Sequence, residues 1–390
     1  MTGKVGAADI TIVGGGVIGS SVAYNLLSMG FRGKVLVLER DPAYRRASSR
    51  LAFGGVRQQY CCEINVRMAQ MSVAFYERFD ETMGVGGRPA AGKFRQRGYL
   101  FLGDRSSAPK LRERLDRMRA AGAIVEPLTP AEIRERVPEL DLSDVELGVF
   151  GRKDGYGDPS AILGGFRAKA ESLGAQFLAD ELTGVERNKG VRAITTRGAG
   201  RIETPRLVCA AGAFSARVGE LAGVSIPVTP VRQQLVRAVL PRPWSYEFPV
   251  VVDPSGVHWR SAEGNTIVIA KTETGEPPGE RFEADADLFS REWKPLLARR
   301  VPEFAGLEQV GAWAGLYEMT PDQNGLLGEH PDLQGLYLAC GFSGHGLMMA
   351  PATGQLIAQS LLGLSPSLDI GPLSVARFAQ GRPLLDDAMI

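Results

Sequence analysis

Residues 9–41 read DITIVGGGVIGSSVAYNLLSMGFRGKVLVLERD, and the order of signals in that stretch leaves few folds open. DITIVG is a short β-branched run closed by glycine, which predicts a buried strand. The next segment spaces its apolar residues as a helix does, with Gly30 as a natural C-cap. KVLVLER predicts a second apolar strand ending in Glu39. Gly14, Gly16 and Gly19 fit G-x-G-x-x-G, and each has its own task. Gly14 permits the tight turn, Gly16 lets a pyrophosphate approach the backbone, and Gly19 lets the helix pack close to the strand. The pyrophosphate would rest on the helix start at Val17 and Ile18, where free N–H groups and the positive dipole end favour anions. Glu39, with Arg40 beside it, is placed to accept a hydrogen bond from an adenosine ribose hydroxyl. The unit predicts dinucleotide binding. The competing reading is a glycine-rich turn in another α/β fold.

The glycine pattern does not choose between a flavin and a nicotinamide dinucleotide. A nicotinamide cofactor implies that the next ~100 residues continue as regular βαβ units. They do not. After ERDPAYRRASSRLAFGG comes a charged helical stretch, CEINVRMAQMSVAFYERFDETMG, then KFRQRGYLFLG and another charged helix around Lys110 to Ala121. The dinucleotide unit is interrupted by inserted elements. At 390 residues, 44% of them hydrophobic, the chain can bury the cores of about two domains. A net charge of +1 gives no footprint for nucleic acid or an acidic lipid surface. Cys61, Cys62, Cys209 and Cys340 form no C-x-x-C pair, so neither a zinc site nor a thioredoxin-type site is expected, and reduced thiols are. The N-terminus shows no small-residue cleavage site, and no run of ~18 apolar residues predicts a membrane span. The expected compartment is the cytoplasm.

Three separated motifs carry a wider likeness: DITIVGGGVIGSSVAYNL…VLVLER, RLVCAAGAFS at 206–215, and GAWAGLYEMTPDQNGLLG…GLYLACGFSGHGLMMAPATGQLIA near the end. In these motifs, and in their order over nearly the whole chain, the sequence resembles the D-amino-acid-oxidase superfamily of FAD enzymes. The nearest branch is that of glycine oxidase, sarcosine oxidase and the β-subunits of bacterial proline dehydrogenases. The resemblance implies an α/β fold in which a Rossmann-like FAD-binding domain of glutathione-reductase type is interleaved with an antiparallel-sheet α+β substrate domain. The FAD domain would comprise 1–85, 145–215 and 320–390, and the substrate domain 86–144 and 216–319. Strand-like runs RQQLVRAVL, FPVVVD and NTIVIAK agree with the second assignment.

The same resemblance assigns candidate residues. GLYLAC predicts a strand and GHGLMMAPATGQLIAQSLLG a helix, and the turn between them would meet the pyrimidine end of the flavin. A helix N-terminus there suits the negative charge of reduced flavin. Gly341, Gly344 and Gly346 would keep the approach clear, Leu347 would sit at the helix start, and His345 would add a donor or a positive charge. Ser48 and Ser49 would donate toward the pyrophosphate or form a plain turn, and Gly212 would allow a close backbone approach. Arg57 falls where sarcosine oxidases keep an arginine for the substrate carboxylate, a role its planar fork suits. Tyr317 is a second pocket candidate.

The departures matter as much. Tyr317 stands where glycine oxidases carry an arginine, and Met348 where monomeric sarcosine oxidases carry a lysine. Gly315 stands where the latter attach flavin through a cysteine, which implies noncovalent FAD, with Cys340 an outside alternative for attachment. Ile267 occupies the place of their oxygen-activating lysine, with Lys271 nearby. The implied reaction is FAD-dependent oxidation of a C–N bond in an amino acid or secondary amine, with O2 or a redox partner accepting the electrons. Apolar residues around Met348 point to an N-substituted glycine with an apolar substituent, oxidised to glyoxylate and a primary amine. The alternatives are a dehydrogenase resembling a proline or sarcosine dehydrogenase β-subunit, and a non-catalytic flavoprotein assembly factor.

Overall fold

The computed structural model describes residues 6–272 and 275–386. One sheet has six strands, in the order Leu326–Glu329, Leu336–Cys340, Leu207–Cys209, Ile10–Val13, Val35–Leu38, Gln176–Leu178. Neighbours run parallel except at the edge strand Leu326–Glu329. All four residues of Ile10–Val13 are buried, as a central strand covered on both faces requires. The helix Val17–Ser28 follows, and it ends at the predicted glycine: Gly30 has φ +92°, and the Phe31 N–H reaches back to the Leu26 carbonyl.

The helix Gly346–Leu361 lies against Val17–Ser28 at close range because Gly354 has no side chain. A Cβ there would stand 2.2 Å from Ser21 Oγ, whose hydroxyl donates to the Ala350 carbonyl at 2.8 Å. Pro351, inside the same helix, has no N–H for the Leu347 carbonyl. The Tyr76 hydroxyl donates to that carbonyl instead, at 2.5 Å, and so ties the helix Glu63–Tyr76 to the start of Gly346–Leu361.

A second sheet has eight strands, in the order Glu308–Met319, Thr229–Val239, Thr266–Lys271, Val257–Ala262, Val250–Val252, Tyr99–Asp104, Val145–Gly151, Glu126–Leu128. Two features of this sheet refine the sequence reading. Its neighbours run antiparallel, as expected, except that Val250–Val252 runs parallel to Tyr99–Asp104. And Val145–Gly151 pairs with Tyr99–Asp104 in this sheet, although the sequence division placed residue 145 onward with the dinucleotide unit. The run VELGVFG suits either sheet, and only its long-range partner decides. A three-stranded meander (Leu182–Arg187, Val191–Thr196, Gly200–Glu203) and a short pair, Gly55–Val56 with Gly155–Tyr156, complete the sheets. Among the described residues no helix is long and apolar enough to cross a membrane, and no group of three or more His, Cys, Asp or Glu could hold a metal ion.

Candidate active site

Each fingerprint glycine answers to a different neighbour. Gly14 has φ +101°, and a Cβ on it would lie 2.2 Å from the Ala210 carbonyl oxygen. A Cβ on Gly19 would lie 1.9 Å from the Gly14 carbonyl oxygen. Both contacts are with backbone, so the fold itself demands these two glycines. Gly16 differs: its φ of −60° suits any residue, and its Cβ would meet only Ser49 Oγ, at 3.1 Å. Its open side faces a cavity of about 490 Å³ that Gly14, Val17 and Ile18 also line. Gly19 stays outside it. Ser49 Oγ accepts the Val17 N–H at 3.0 Å, and Gly16 has no side chain to cap the helix start.

Glu39, Arg40 and Gly212 line the same cavity. Glu39 Oε2 accepts the Gly15 N–H at 3.0 Å and Oε1 the Asp41 N–H at 2.8 Å, so the carboxylate locks the glycine turn to the end of the second strand. Burial pushes this carboxyl above its usual range while those N–H bonds pull it back. A carboxylate has about four lone-pair sites, which leaves capacity for a ribose hydroxyl. The Arg40 guanidinium lies 3.8 Å from the Phe214 ring centroid and 3.8 Å from Glu181. Gly212 adopts φ +56°. Ser48 and Ser49 both line the cavity, yet Ser48 donates its one proton to the Leu316 carbonyl at 2.6 Å. That bond ties the short helix Ser48–Leu51 to the strand Glu308–Met319 and corrects the expectation that Ser48 donates to an anion. Ser49, which accepts from Val17, keeps its proton for that task.

The turn at 341–346 is glycine-rich for more than one reason. Gly341 (φ +77°) does not line the cavity. Its Cβ would lie 2.5 Å from Thr320 Cγ2, and its N–H donates to Glu318 Oε2 at 2.9 Å. It therefore serves the turn itself, a correction to the sequence expectation. Gly344 (φ +98°) lines the cavity, and its Cβ would fall 2.6 Å from the Tyr317 ring. Gly346 and Leu347 line the cavity where the helix begins.

Arg57 is 1% exposed, and it lines the cavity. One Nη donates to the Gln59 carbonyl, the other lies 3.4 Å from His345 Nε2, and the guanidinium carbon sits 4.4 Å from the Tyr60 ring centroid. Asp154 holds the loop that carries it, accepting the Gln58 N–H at 2.9 Å and the Gln59 Nε2–H at 3.0 Å. His345 Nδ1 lies 3.1 Å from the Phe342 carbonyl, which can only accept, so that nitrogen carries the proton and Nε2 presents a lone pair to Arg57. Burial, reinforced by the Arg57 charge, pushes His345 down to about 3. The histidine is neutral, which corrects the option of a positive charge there: that charge belongs to Arg57. Tyr317 and Tyr99 line the same cavity, both hydroxyls pushed up by burial and drawn back by Arg57. Met348 also lines it, with Sδ accepting the Tyr60 hydroxyl at 2.8 Å, whereas Met349 faces a much smaller cavity.

Sequence reasoning missed Tyr99, His258 and Glu318, all on the cavity wall. His258 had a readable signal: in VHWRSA the side chains alternate, and Trp259 points into the core while His258 points the other way. Likewise Ile267 and Ile269 belong to the core, and Ala270 and Lys271 reach the cavity. Glu318 carries no local signal. Burial pushes its carboxyl up to about 7, offset by N–H groups of Gly341 and Phe342.

The residues present fit a dinucleotide. A cradle at Gly16 that a Cβ would narrow, the start of the helix at Val17 and Ile18, and the held Glu39 carboxylate all line one large cavity. The comparisons with known proteins agree with that reading. The chain is 34% identical over 419 residues to FAD-dependent oxidoreductase domain-containing protein 1 of Xenopus laevis, covering 97% of this chain and 84% of that protein. The crystal structure of L-proline dehydrogenase from P. horikoshii superposes with a TM-score of 0.88 at 28% identity, covering 97% of this chain and all of that one. Glycine oxidase from Geobacillus kaustophilus superposes with a TM-score of 0.85 at 26% identity, covering 95% and 99%. The family described as FAD dependent oxidoreductase (DAO) matches residues 9–360, and the chain belongs to it.

Proposed function

We propose that this FAD-dependent oxidoreductase oxidises the C–N bond of a carboxylate-bearing amine, specifically an N-substituted glycine with an apolar substituent. The observation that supports this reading most is Arg57, a deeply buried guanidinium on the wall of a cavity that Leu51, Phe53, Leu235 and Met348 make largely apolar on other sides. A guanidinium matches a carboxylate with two parallel hydrogen bonds. Gly14, Gly16, Val17, Ile18, Glu39, Arg40, Ser49 and Gly212 would hold the adenosine and pyrophosphate of FAD, and Gly344, Gly346 and Leu347 its flavin end. The attachment is noncovalent, since Gly315 has no nucleophile and Cys340, fully buried, is not on the cavity wall.

FAD, when bound, accepts a hydride equivalent from carbon. Arg57 would orient the carboxylate, with the Tyr99 and Tyr317 hydroxyls beside it. The substrate loses one hydride from its α-carbon and one proton from nitrogen, giving an imine. Addition of water then releases glyoxylate and the free primary amine. The test is anaerobic mixing of the holoprotein with a series of N-alkyl glycines, read as loss of the flavin's visible absorbance, with glyoxylate assayed as product. Faster reduction by plain glycine or sarcosine than by every bulkier member would overturn the apolar-substituent reading. No reduction by any amine, with FAD retained, would favour a non-catalytic flavoprotein. Similarity to a proline dehydrogenase favours a second reading, in which electrons pass to a partner protein rather than to O2. The yield of hydrogen peroxide per turnover separates the two.

A further inference from the structure

We infer that His258 accepts a hydrogen bond from the substrate's N–H, and that this bond makes the site select secondary over tertiary amines. The inference rests on the reading above, that a carboxylate-bearing amine occupies the cavity beside Arg57. His258 stands on the strand Val257–Ala262, is 6% exposed and lines the cavity. Its Nδ1 lies 3.1 Å from the Gly256 carbonyl, which can only accept, so Nδ1 carries the proton and Nε2 is a bare lone pair. Among the described residues Nε2 has no partner. The Phe53 ring packs edge-on, centroids 4.9 Å apart, and limits how the imidazole can turn. Burial, and to a lesser degree the Arg57 charge, hold the imidazole neutral, at about 4. Tyr99 and Tyr317 on the same wall can donate, and His345 Nε2 already faces Arg57. His258 is thus an acceptor that cannot donate.

The chemistry of the reaction gives that acceptor a task. A neutral secondary amine has one lone pair and one N–H. The lone pair must stay free to form the C=N bond as the α-hydrogen leaves. The N–H, once buried, is costly unless something accepts it. A neutral tertiary amine has no N–H, so binding it would bury the Nε2 lone pair with nothing to meet.

The test uses two planar carboxylates of nearly equal size, pyrrole-2-carboxylate, with a ring N–H, and furan-2-carboxylate, with a ring oxygen. Their binding to the holoprotein is read from the flavin spectrum and by calorimetry for wild type, His258→Phe and His258→Gln. Wild type should bind the pyrrole acid tighter by about tenfold or more, the worth of one buried hydrogen bond. His258→Phe should equalise the two, and His258→Gln, whose amide oxygen still accepts, should keep part of the preference. The same order should appear in kcat/KM for N-alkyl against N,N-dialkyl glycines. Equal affinities in wild type, or a preference that survives in His258→Phe, overturn the inference and leave Arg57's role standing. If neither acid binds wild type, the carboxylate reading fails and the inference falls with it. Should His258→Phe fail to retain FAD, wild type and His258→Gln still decide: a full loss of preference in the glutamine variant counts against an acceptor role.

Discussion

Single alanine substitutions at Gly16 and Gly19 should separate cofactor binding from folding. At Gly16 the backbone already has φ −60° and ψ −175°, which alanine adopts freely. The new methyl would meet Ser49 Oγ at 3.1 Å, the end of a rotatable side chain that can yield by a few tenths of an ångström. The apoprotein of Gly16→Ala should therefore keep its stability to within about 0.5 kcal/mol. Gly19 is the opposite case. Its methyl would stand 1.9 Å from the Gly14 carbonyl oxygen, so the helix Val17–Ser28 must shift away from the turn that feeds it. Alanine gains about 1 kcal/mol over glycine inside a helix, but overpacking against backbone costs about 1–3 kcal/mol or more. The net effect is a loss.

Ligand binding should rank the two in a different way. If the pyrophosphate passes over Gly16, a methyl there holds it off the backbone N–H groups, and a loss of about 1.4–3 kcal/mol weakens FAD binding by roughly 10- to 150-fold. The assay is paired: apoprotein melting by circular dichroism, and titration of apoprotein with FAD followed by quenching of flavin fluorescence. Gly16→Ala should leave the first near wild type and degrade the second, while Gly19→Ala should lower the melting midpoint. Wild-type FAD affinity in Gly16→Ala would refute the placement of the pyrophosphate. Equal destabilisation of both apoproteins would refute the division of labour among the glycines.

Arg57→Ala should keep FAD and raise KM for carboxylate-bearing amines by roughly 2–4 kcal/mol of lost charge pairing, with little change for amines lacking a carboxylate. Acid precipitation should release all the yellow colour to the supernatant, and colour kept in the pellet would mean a covalent flavin. Burial pushes the Asp154 carboxyl from 3.8 up to about 7, so the folded state holds that proton more tightly than the unfolded chain does. The stability it contributes is complete below the unfolded value and is lost as pH rises through about 7, and Glu318 acts in the same direction. The melting midpoint should therefore fall between about pH 4 and about pH 7 and level off above that, with a shallower fall in Asp154→Asn. An Asp154→Asn slope equal to wild type would place the titration elsewhere.

What was legible in the sequence is what neighbouring residues decide between themselves. The strand Ile10–Val13, the glycine turn, the helix Val17–Ser28 and its stop at Gly30 are local events, and the structure has all of them. What was not legible depends on partners far along the chain. Ser48 looked like an anion donor until its proton was found on Leu316, 268 residues away. Gly341 looked like room for a ligand, and its restriction comes from Thr320. The strand Val145–Gly151 has the right residues for either sheet, and pairing with Tyr99–Asp104 settles it. His258 was half legible: alternation says that it opposes Trp259, but not which face meets the cavity.

The charge state of the substrate end depends in the same way on distant contacts. His345 lies 288 residues from Arg57, and no local pattern shows that they touch. Once they do, the ordering of charges follows. Arginine cannot be deprotonated in a protein, while histidine gives up its proton readily when buried. Burial, with a smaller contribution from the Arg57 charge, depresses both His345 and His258, to about 3 and about 4, so neither imidazole shares that charge. An amine that binds here meets a fixed cation, whose guanidinium already engages His345 Nε2, and the lone pair of His258 Nε2. Its carboxylate is drawn to the cation, and its own positive charge is opposed by that cation. The arrangement favours the zwitterion's release of its ammonium proton before chemistry, which is the protonation state that oxidation of a C–N bond requires. Removing Arg57 should therefore do more than weaken the carboxylate contact. In Arg57→Lys, which keeps the charge and loses the planar fork, the bound amine should still lose its proton readily, so the pH dependence of flavin reduction at saturating substrate should stay near wild type while KM rises. In Arg57→Ala the same profile should move to higher pH. An unmoved profile in Arg57→Ala would show that the guanidinium orients the substrate and does nothing to its proton.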